Sequence, residues 1–290
     1  MSVTPLRQWL PGHGRLMTAV IIAATALTAT TSAMMPVASA QVSDLPHLTI
    51  AMNGHSITVG GALQSGAVTV VSTTTGEARG EPLLLRLNPG VTPSRAYAFT
   101  ASPAARDLDN VSRVGAIVFD AEADRGTSQV QTRLQPGQYV AFDLAGPNPA
   151  RAPHVAFTVV QSAHPVALPT PQAIIRAIDF AFRAPHTLRD DELVRFQNDG
   201  TRVHMIVATQ ARNAQAARQV LAALRAGNDN KAKRLTIAGA TFADPLSSGA
   251  SQQMTINLTP GYWILASFVA TKDGREDTQF GMERIVRIVR

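Results

Sequence analysis

Cysteine is absent from the 290 residues. That removes disulfide bridges, thiolate nucleophiles and thiolate metal ligands together, so stability has to come from packed apolar cores. Aromatic residues make up 5% and charged residues 16% of the chain. A nucleic-acid-binding surface carries a basic stripe interleaved with stacking aromatics. Here the positive charges are scattered, with Lys231, Lys233 and Arg234 the densest group. The net charge of +6 is therefore a solvated surface, capable of unspecific attraction to an anionic envelope polymer and no basis for nucleic-acid binding. There is no Gly-x-Ser-x-Gly elbow, no His-x-x-x-His pair and no twin arginine, so those routes to hydrolase, zinc and twin-arginine export chemistry are closed. After residue 40 no apolar run is long enough to cross a bilayer.

The first forty residues hold Arg7 and Arg15 and no acid, an apolar run from Leu16 to Thr30, and Ala38-Ser39-Ala40 before Gln41. A basic start, a short apolar middle and small residues at the end make a secretory signal peptide. The competing reading, a membrane anchor, is weakened by the Thr and Ser residues in the run. Cleavage near Ala40 is expected to leave an extracytoplasmic chain, secreted or periplasmic, with a net charge of +4 and no transmembrane segment.

Short strand-like runs dominate what remains: His47–Met52, Val68–Ser72, Pro82–Leu87 and Val114–Phe119, then Ile174–Phe182, Glu192–Phe196, Val203–Thr209, Leu235–Ala238, Met254–Leu258, Tyr262–Val269 and Ile285–Val289. Gly, Pro and Asn clusters separate them, the pattern of a sandwich or barrel. Landmarks recur at fixed spacing. Gly76 precedes Gly137 by 61 residues, and Gly200 precedes Gly261 by 61. The offset of 124 sets Leu134 on Leu258, Pro136 on Pro260 and Tyr139 on Trp263, which is the mark of an internal repeat. The expected division is a signal peptide at 1–40, a first domain at 41–162, a proline-rich linker at 163–171 and a second domain at 172–290. One helix is predicted, capped by Asn213, with Val220, Leu221 and Leu224 on one face and Gly227 ending it. Ser102 to Asn110 is expected to form a shorter helical turn in the first half.

Phe196-Gln-Asn-Asp-Gly-Thr-Arg-Val-His204, Leu258-Thr-Pro-Gly-Tyr-Trp263 and Gly281-Met282 resemble the exported bacterial cupredoxin-like (blue-copper) domain family. The resemblance covers nearly all of 170–290 and extends more weakly over 45–160, where Leu134-Gln-Pro-Gly-Gln-Tyr-Val is its best anchor. It implies an all-β fold of two tandem Greek-key sandwich domains with a short helix inserted in the second. It also implies where a copper ion would sit: His204 at the first imidazole, Ser267 at the thiolate, Asp277 and Phe280 where a second imidazole falls in different variants, and Met282 as the axial thioether. In the first half Gly80 and Asp143 fall at the first-imidazole and thiolate positions, and His154 lies in a shortened loop. A blue copper site needs two imidazoles and a thiolate. A serine hydroxyl stays protonated near neutral pH and does not substitute, so these are vestigial positions and neither metal nor other cofactor is expected.

No catalytic residue is expected. Asp190-Asp191-Glu192 reads as a solvated turn, and Ser267 has no base besides His204 and no visible oxyanion device. Tyr262 and Trp263 point to opposite sheet faces, one of them toward the core and the other half-buried or free to anchor a partner. The chain is read as a non-catalytic binding or scaffold module for a protein or cell-envelope component. The alternative is a metal-handling or redox accessory protein using the His204/Met282 corner.

Overall fold

The computed structural model describes residues 45–290 apart from Pro147; the signal-peptide reading lies outside the described residues. The fold class is the all-β one expected, mostly strand with few helices. Among the described residues no helix is long and apolar enough to cross a membrane.

The first lobe is built from β1 (His47–Met52), β2 (Ile57–Gly61), β3 (Gly66–Gly80), β4 (Pro82–Leu87), β5 (Gly115–Asp120), β6 (Ala123–Leu134), β7 (Gly137–Asp143) and β8 (His154–Val159). β1 alternates exposed and buried residues along its length, so Leu48, Ile50 and Met52 face inward. They meet Val68 and Val70 of β3, and across the sandwich Leu84, Phe119, Tyr139 and Ala141. One sheet carries the order β6-β3-β1-β2 and the facing one β5-β4-β7-β8.

The second lobe holds β9 (Ala173–Ile178), β10 (Ala181–Arg183), β11 (Thr187–Arg189), β12 (Leu193–Asn198), β13 (His204–Ala211), β14 (Thr236–Leu246), β15 (Ser251–Thr255), β16 (Gly261–Ala266) and β17 (Glu283–Val289). A five-stranded sheet, β11-β17-β16-β13-β14, faces β10-β9-β12-β15. The lobes are not separate sheets. β15 pairs with β6 through Gln252–Thr132 and Gln253–Gln131, so one eight-stranded sheet runs through both. The proline-rich segment is tied down at both ends: Ala67 N–H donates to Val166 O at 2.8 Å and Arg195 Nη2 to Pro169 O at 2.9 Å.

Every residue of β13 is buried. Ile206 and Ala208 enter the sandwich core with Trp263, Leu265 and Met282, while Met205 and Val207 lie under a helical layer. That layer is α2 (Ala214–Arg225) and α3 (Asp229–Leu235). Asn213 caps α2 as expected, its side chain accepting from Ala216 N–H at 2.9 Å. Val220 and Leu224 of α2 are fully buried, together contributing about 3–6 kcal/mol.

A single helix was too few. α1 (Pro93–Thr100) in the first lobe is capped by Thr92, whose hydroxyl accepts from Arg95 N–H. Past it, Pro103–Arg106 and Leu108–Arg113 form 3₁₀ turns, where a short helical turn was expected. α3 escapes a periodicity reading because it is short and polar and buries only Ala232.

Candidate functional site

The turn Asn198-Asp199-Gly200 sets the geometry. Asn198 Oδ1 accepts from Gly200 N–H at 2.9 Å, while Nδ2 donates to Arg202 O and Leu246 O. β13 then starts at His204 with irregular register against β14 between His204 and Ile206. Irregularities of this kind re-aim a side chain. The chain returns through the 3₁₀ turn Asp277–Phe280, ends it at Gly281 (φ 100°), and enters β17.

His204, Ser267, Asp277 and Met282 are brought together and buried. His204 Nδ1 lies 2.8 Å from Asp277 Oδ2, and Ser267 Oγ–H donates to that same oxygen at 2.7 Å. Met205 N–H points at Ser267 Oγ at 3.4 Å. On its other side His204 Nε2 lies 3.1 Å from Asp179 Oδ1. Ser267 N–H donates to Met282 O, and Met282 N–H to Asp277 O. The result is a relay, Asp179–His204–Asp277–Ser267, closed inside and open to solvent only at Asp179. Gly200 permits it: a Cβ there would stand 2.5 Å from Asp179 Oδ1 and 3.1 Å from His204 Nε2.

Asp179, in the turn between β9 and β10, was not picked from the sequence, and no motif marks it. Burial pushes its carboxyl up, but donors from the Thr201 hydroxyl, His204 and the Thr201 and Arg202 amides outweigh that and bring it down to about 2. Phe280 stays out of the relay. Its ring lies 4.7 Å from that of Phe180, with the Arg275 guanidinium 4.1 Å above it. Phe180 has φ 61°, an uncommon conformation for a bulky residue. Phe180, Phe280, Arg202, Thr271, Lys272 and Asp273 line an open cleft of about 490 Å³ beside Asp179.

The donor set does not fit a blue copper ion. There is no thiolate, the Ser267 hydroxyl is engaged by Asp277, and both imidazole nitrogens already face carboxylate oxygens. Among the described residues no group of three or more His, Asp or Glu side chains is arranged to hold a metal ion. In the first lobe Gly80 and Asp143 stand 124 positions before His204 and Ser267 in different surroundings. Gly80 packs where a Cβ would stand 2.7 Å from Met52 Cε, Asp143 Oδ1 accepts from the Glu81 and Ala145 amides, and His154 stacks on Tyr97 at 3.8 Å.

Two other sequence candidates have structural roles. Asp190 accepts from Leu258 N–H at 2.8 Å, which ties the acidic turn to the strand beside it. Trp263 is in the core, and Tyr262 is partly buried against the helical layer, which accounts for both rings without a partner.

The geometry defines an all-β chain of two sandwich lobes with a buried carboxylate–imidazole–carboxylate–hydroxyl relay in the second. No protein-family model matches the chain, and no curated protein matches it. Among solved structures it is similar to auracyanin from Roseiflexus castenholzii, with 16% identity over 40% of this chain and 95% of that one and a TM-score of 0.25. A multicopper oxidase gives 10% identity over 84% and 88%, TM-score 0.22. The copper nitrite reductase of Nitrosomonas europaea gives 10% over 84% and 93%, TM-score 0.23. At such identities and scores no residue role carries across.

Proposed function

We propose that the chain is an exported, non-catalytic binding or scaffold module built on two copies of a cupredoxin-like frame, in which a polar relay takes the place of a metal centre. The observation that carries this reading is His204, held between Asp179 and Asp277 with neither ring nitrogen turned to an open position. Catalysis is disfavoured by the same geometry. Ser267 is fully buried and donates to Asp277 rather than to His204, so no imidazole base faces it and it has no access to substrate. The face available to a partner is the Phe180/Phe280 cleft, where Arg202 and Lys272 flank two partly exposed rings. Mixed aromatic and cationic side chains of this kind are favoured as contact anchors. The partner class is a protein or cell-envelope component.

Titration of the full chain with Cu(II), Cu(I) and Zn(II), followed by calorimetry and absorption spectroscopy, tests this. The expected result is no stoichiometric binding at micromolar metal. A tight one-to-one site that disappears in His204→Ala would overturn the reading and establish the metal-handling role at the His204/Met282 corner instead.

A further inference from the structure

The contact between the lobes buries two carboxyl groups, one from each lobe. Asp120 ends β5 of the first lobe and Asp244 lies on β14 of the second, with 2% and 7% exposure. The strands are locked together nearby: Ser247 N–H donates to Ile117 O at 3.0 Å, and Ile117 N–H to Ser247 Oγ at 2.9 Å. Gln252 Nε2 bridges Asp120 O and Phe242 O, two residues from Asp244, and Gln252 Oε1 faces Asp120 N. From its own strand the Asp244 side chain reaches across to the backbone N–H of Glu122, two residues after Asp120. Asp120 Oδ1 and Asp244 Oδ2 are sealed from solvent without a hydrogen-bond partner. The two residues are also 124 positions apart, the offset that matches Leu134 with Leu258.

The charges that face the pair come from β3, the β3–β4 turn and the β5–β6 turn. Arg79 Nη1 lies 2.6 Å from Glu122 Oε1 and its Nη2 3.8 Å from Glu81 Oε2, all three side chains being partly exposed at the rim. Asp143 beyond them accepts from the Glu81 amide. Among the described residues, one guanidinium serves a cluster holding Asp120, Asp244, Glu81 and Glu122, and it is engaged with the two glutamates.

We propose that Asp120 and Asp244 form a proton-binding site between the lobes, holding a proton when the lobes are closed against each other and loosening their contact when it leaves. Two ionised carboxylates do not share a sealed site without a cation between them, and a carboxylic acid supplies the donor that the orphaned oxygens lack. Burial is the first cause that raises both carboxyls. For Asp120 the charges of Asp244, Glu81 and Glu122 add to it; for Asp244 those of Glu81 and Glu122 add, while Arg79 and the Glu122 amide pull the other way. The sign follows from linkage. A carboxyl raised in the closed form binds protons that the open form has released, so closure is fully favoured below the ordinary carboxylate range, about pH 4. It weakens as pH rises through the raised values, by up to about tenfold in the closed-to-open ratio per pH unit for each proton released. The pair titrates as a unit, in two macroscopic steps.

Hydrogen exchange of the full chain from pH 5 to 9, corrected for intrinsic rates, reads this out segment by segment. Protection of 115–123 and 239–252 is expected to fall with pH by up to about tenfold per unit more than that of 47–52. Asp120→Asn and Asp244→Asn, made separately so that either folded variant decides, are expected to flatten the difference. Equal pH slopes in the wild type and a folded amide variant would overturn the proposal. So would protection restored at pH 9 by millimolar Ca²⁺ in the wild type but not in the variants, which would make the site one for a cation rather than a proton.

Discussion

Asp277 is the residue on which the relay turns, and truncating it gives the sharpest stability prediction. Its side chain is fully buried, and its Oδ2 takes both the Ser267 hydroxyl and His204 Nδ1. A hydrogen bond to a charged group contributes about 1.5–3 kcal/mol, so the two that Asp277 holds are together worth at least about 3 kcal/mol, while His204 keeps Asp179 at its other ring nitrogen. Asp277→Ala is therefore expected to lose at least about 3 kcal/mol, while Ser267→Ala, which gives up one donor, loses about 1–2 kcal/mol. Urea unfolding followed by the fluorescence of Trp263, which sits in the same core, measures both. A companion variant separates polar bookkeeping from packing. His204→Leu/Ser267→Ala/Asp277→Leu removes the partners together and leaves no buried member of the Ser267–Asp277–His204 set wanting, so it should be less destabilised than Asp277→Ala alone. An Asp277→Ala protein within about 1 kcal/mol of the wild type, the scale of an ordinary single hydrogen bond, would refute the reasoning.

Tyr139 is buried, and its hydroxyl both accepts from Gln135 N–H at 3.0 Å and donates to Gln135 O at 2.8 Å. Tyr139→Phe should lower stability by about 1–3 kcal/mol in chemical denaturation, and an unchanged midpoint would remove that tie from the account. Asp179, brought down to about 2 by the Thr201, His204 and Arg202 donors, should titrate near pH 2 by carboxyl NMR. Its stabilising effect is present above the ordinary carboxylate range and lost as pH falls through about 2; an ordinary midpoint near 4 would show that the His204–Asp179 contact is not made in solution.

The strands were legible where apolar and β-branched residues run together. β1 and β4 have the bounds read from the sequence because Leu48, Ile50 and Leu83–Leu85 leave little choice. β6 was missed because most of its Thr, Ser and Gln residues sit in a sheet whose partners, not its own pattern, fix it as a strand. The meeting of His204, Ser267 and Asp277 was implied by the resemblance to the blue-copper ligand pattern and by no spacing read on its own. Asp179 was not, since it reaches His204 from another turn through the space that Gly200 leaves empty. Phe280 was grouped with the vestigial ligands by position along the chain, but the 3₁₀ turn and the left-handed Gly281 carry its ring outward to the cleft. The joining of the two lobes through β6 and β15 rests on a two-residue pairing among glutamines and a threonine, which no hydrophobic period announces.

The same offset of 124 separates features that match and features that do not, and the difference is physical. Tyr139 bonds to the backbone of Gln135, and Trp263 Nε1–H donates to Thr259 O at 2.9 Å. Both are buried rings turned back on the residue four positions earlier, and Gly137 and Gly261 precede them with φ 145° and 153°. These ties hold a strand to its own turn, so they work in any sandwich that keeps the Pro-Gly turn. Asp143 and Ser267 also stand 124 apart, each buried at the end of a core strand, but Asp143 bonds to nearby backbone amides whereas Ser267 bonds to Asp277 across a loop. What the frame requires at this position is that a buried polar atom find a partner. Amides of the local turn meet that requirement in the first lobe, whereas the carboxylate on the returning loop meets it for Ser267 and leaves its own Oδ1 buried without a partner. The strand frame and its turns therefore constrain the chain tightly, and the corner where the second lobe places its relay is constrained only by hydrogen-bond satisfaction. In the first lobe, where Gly80 brings no ring into that corner, the requirement is met without a relay.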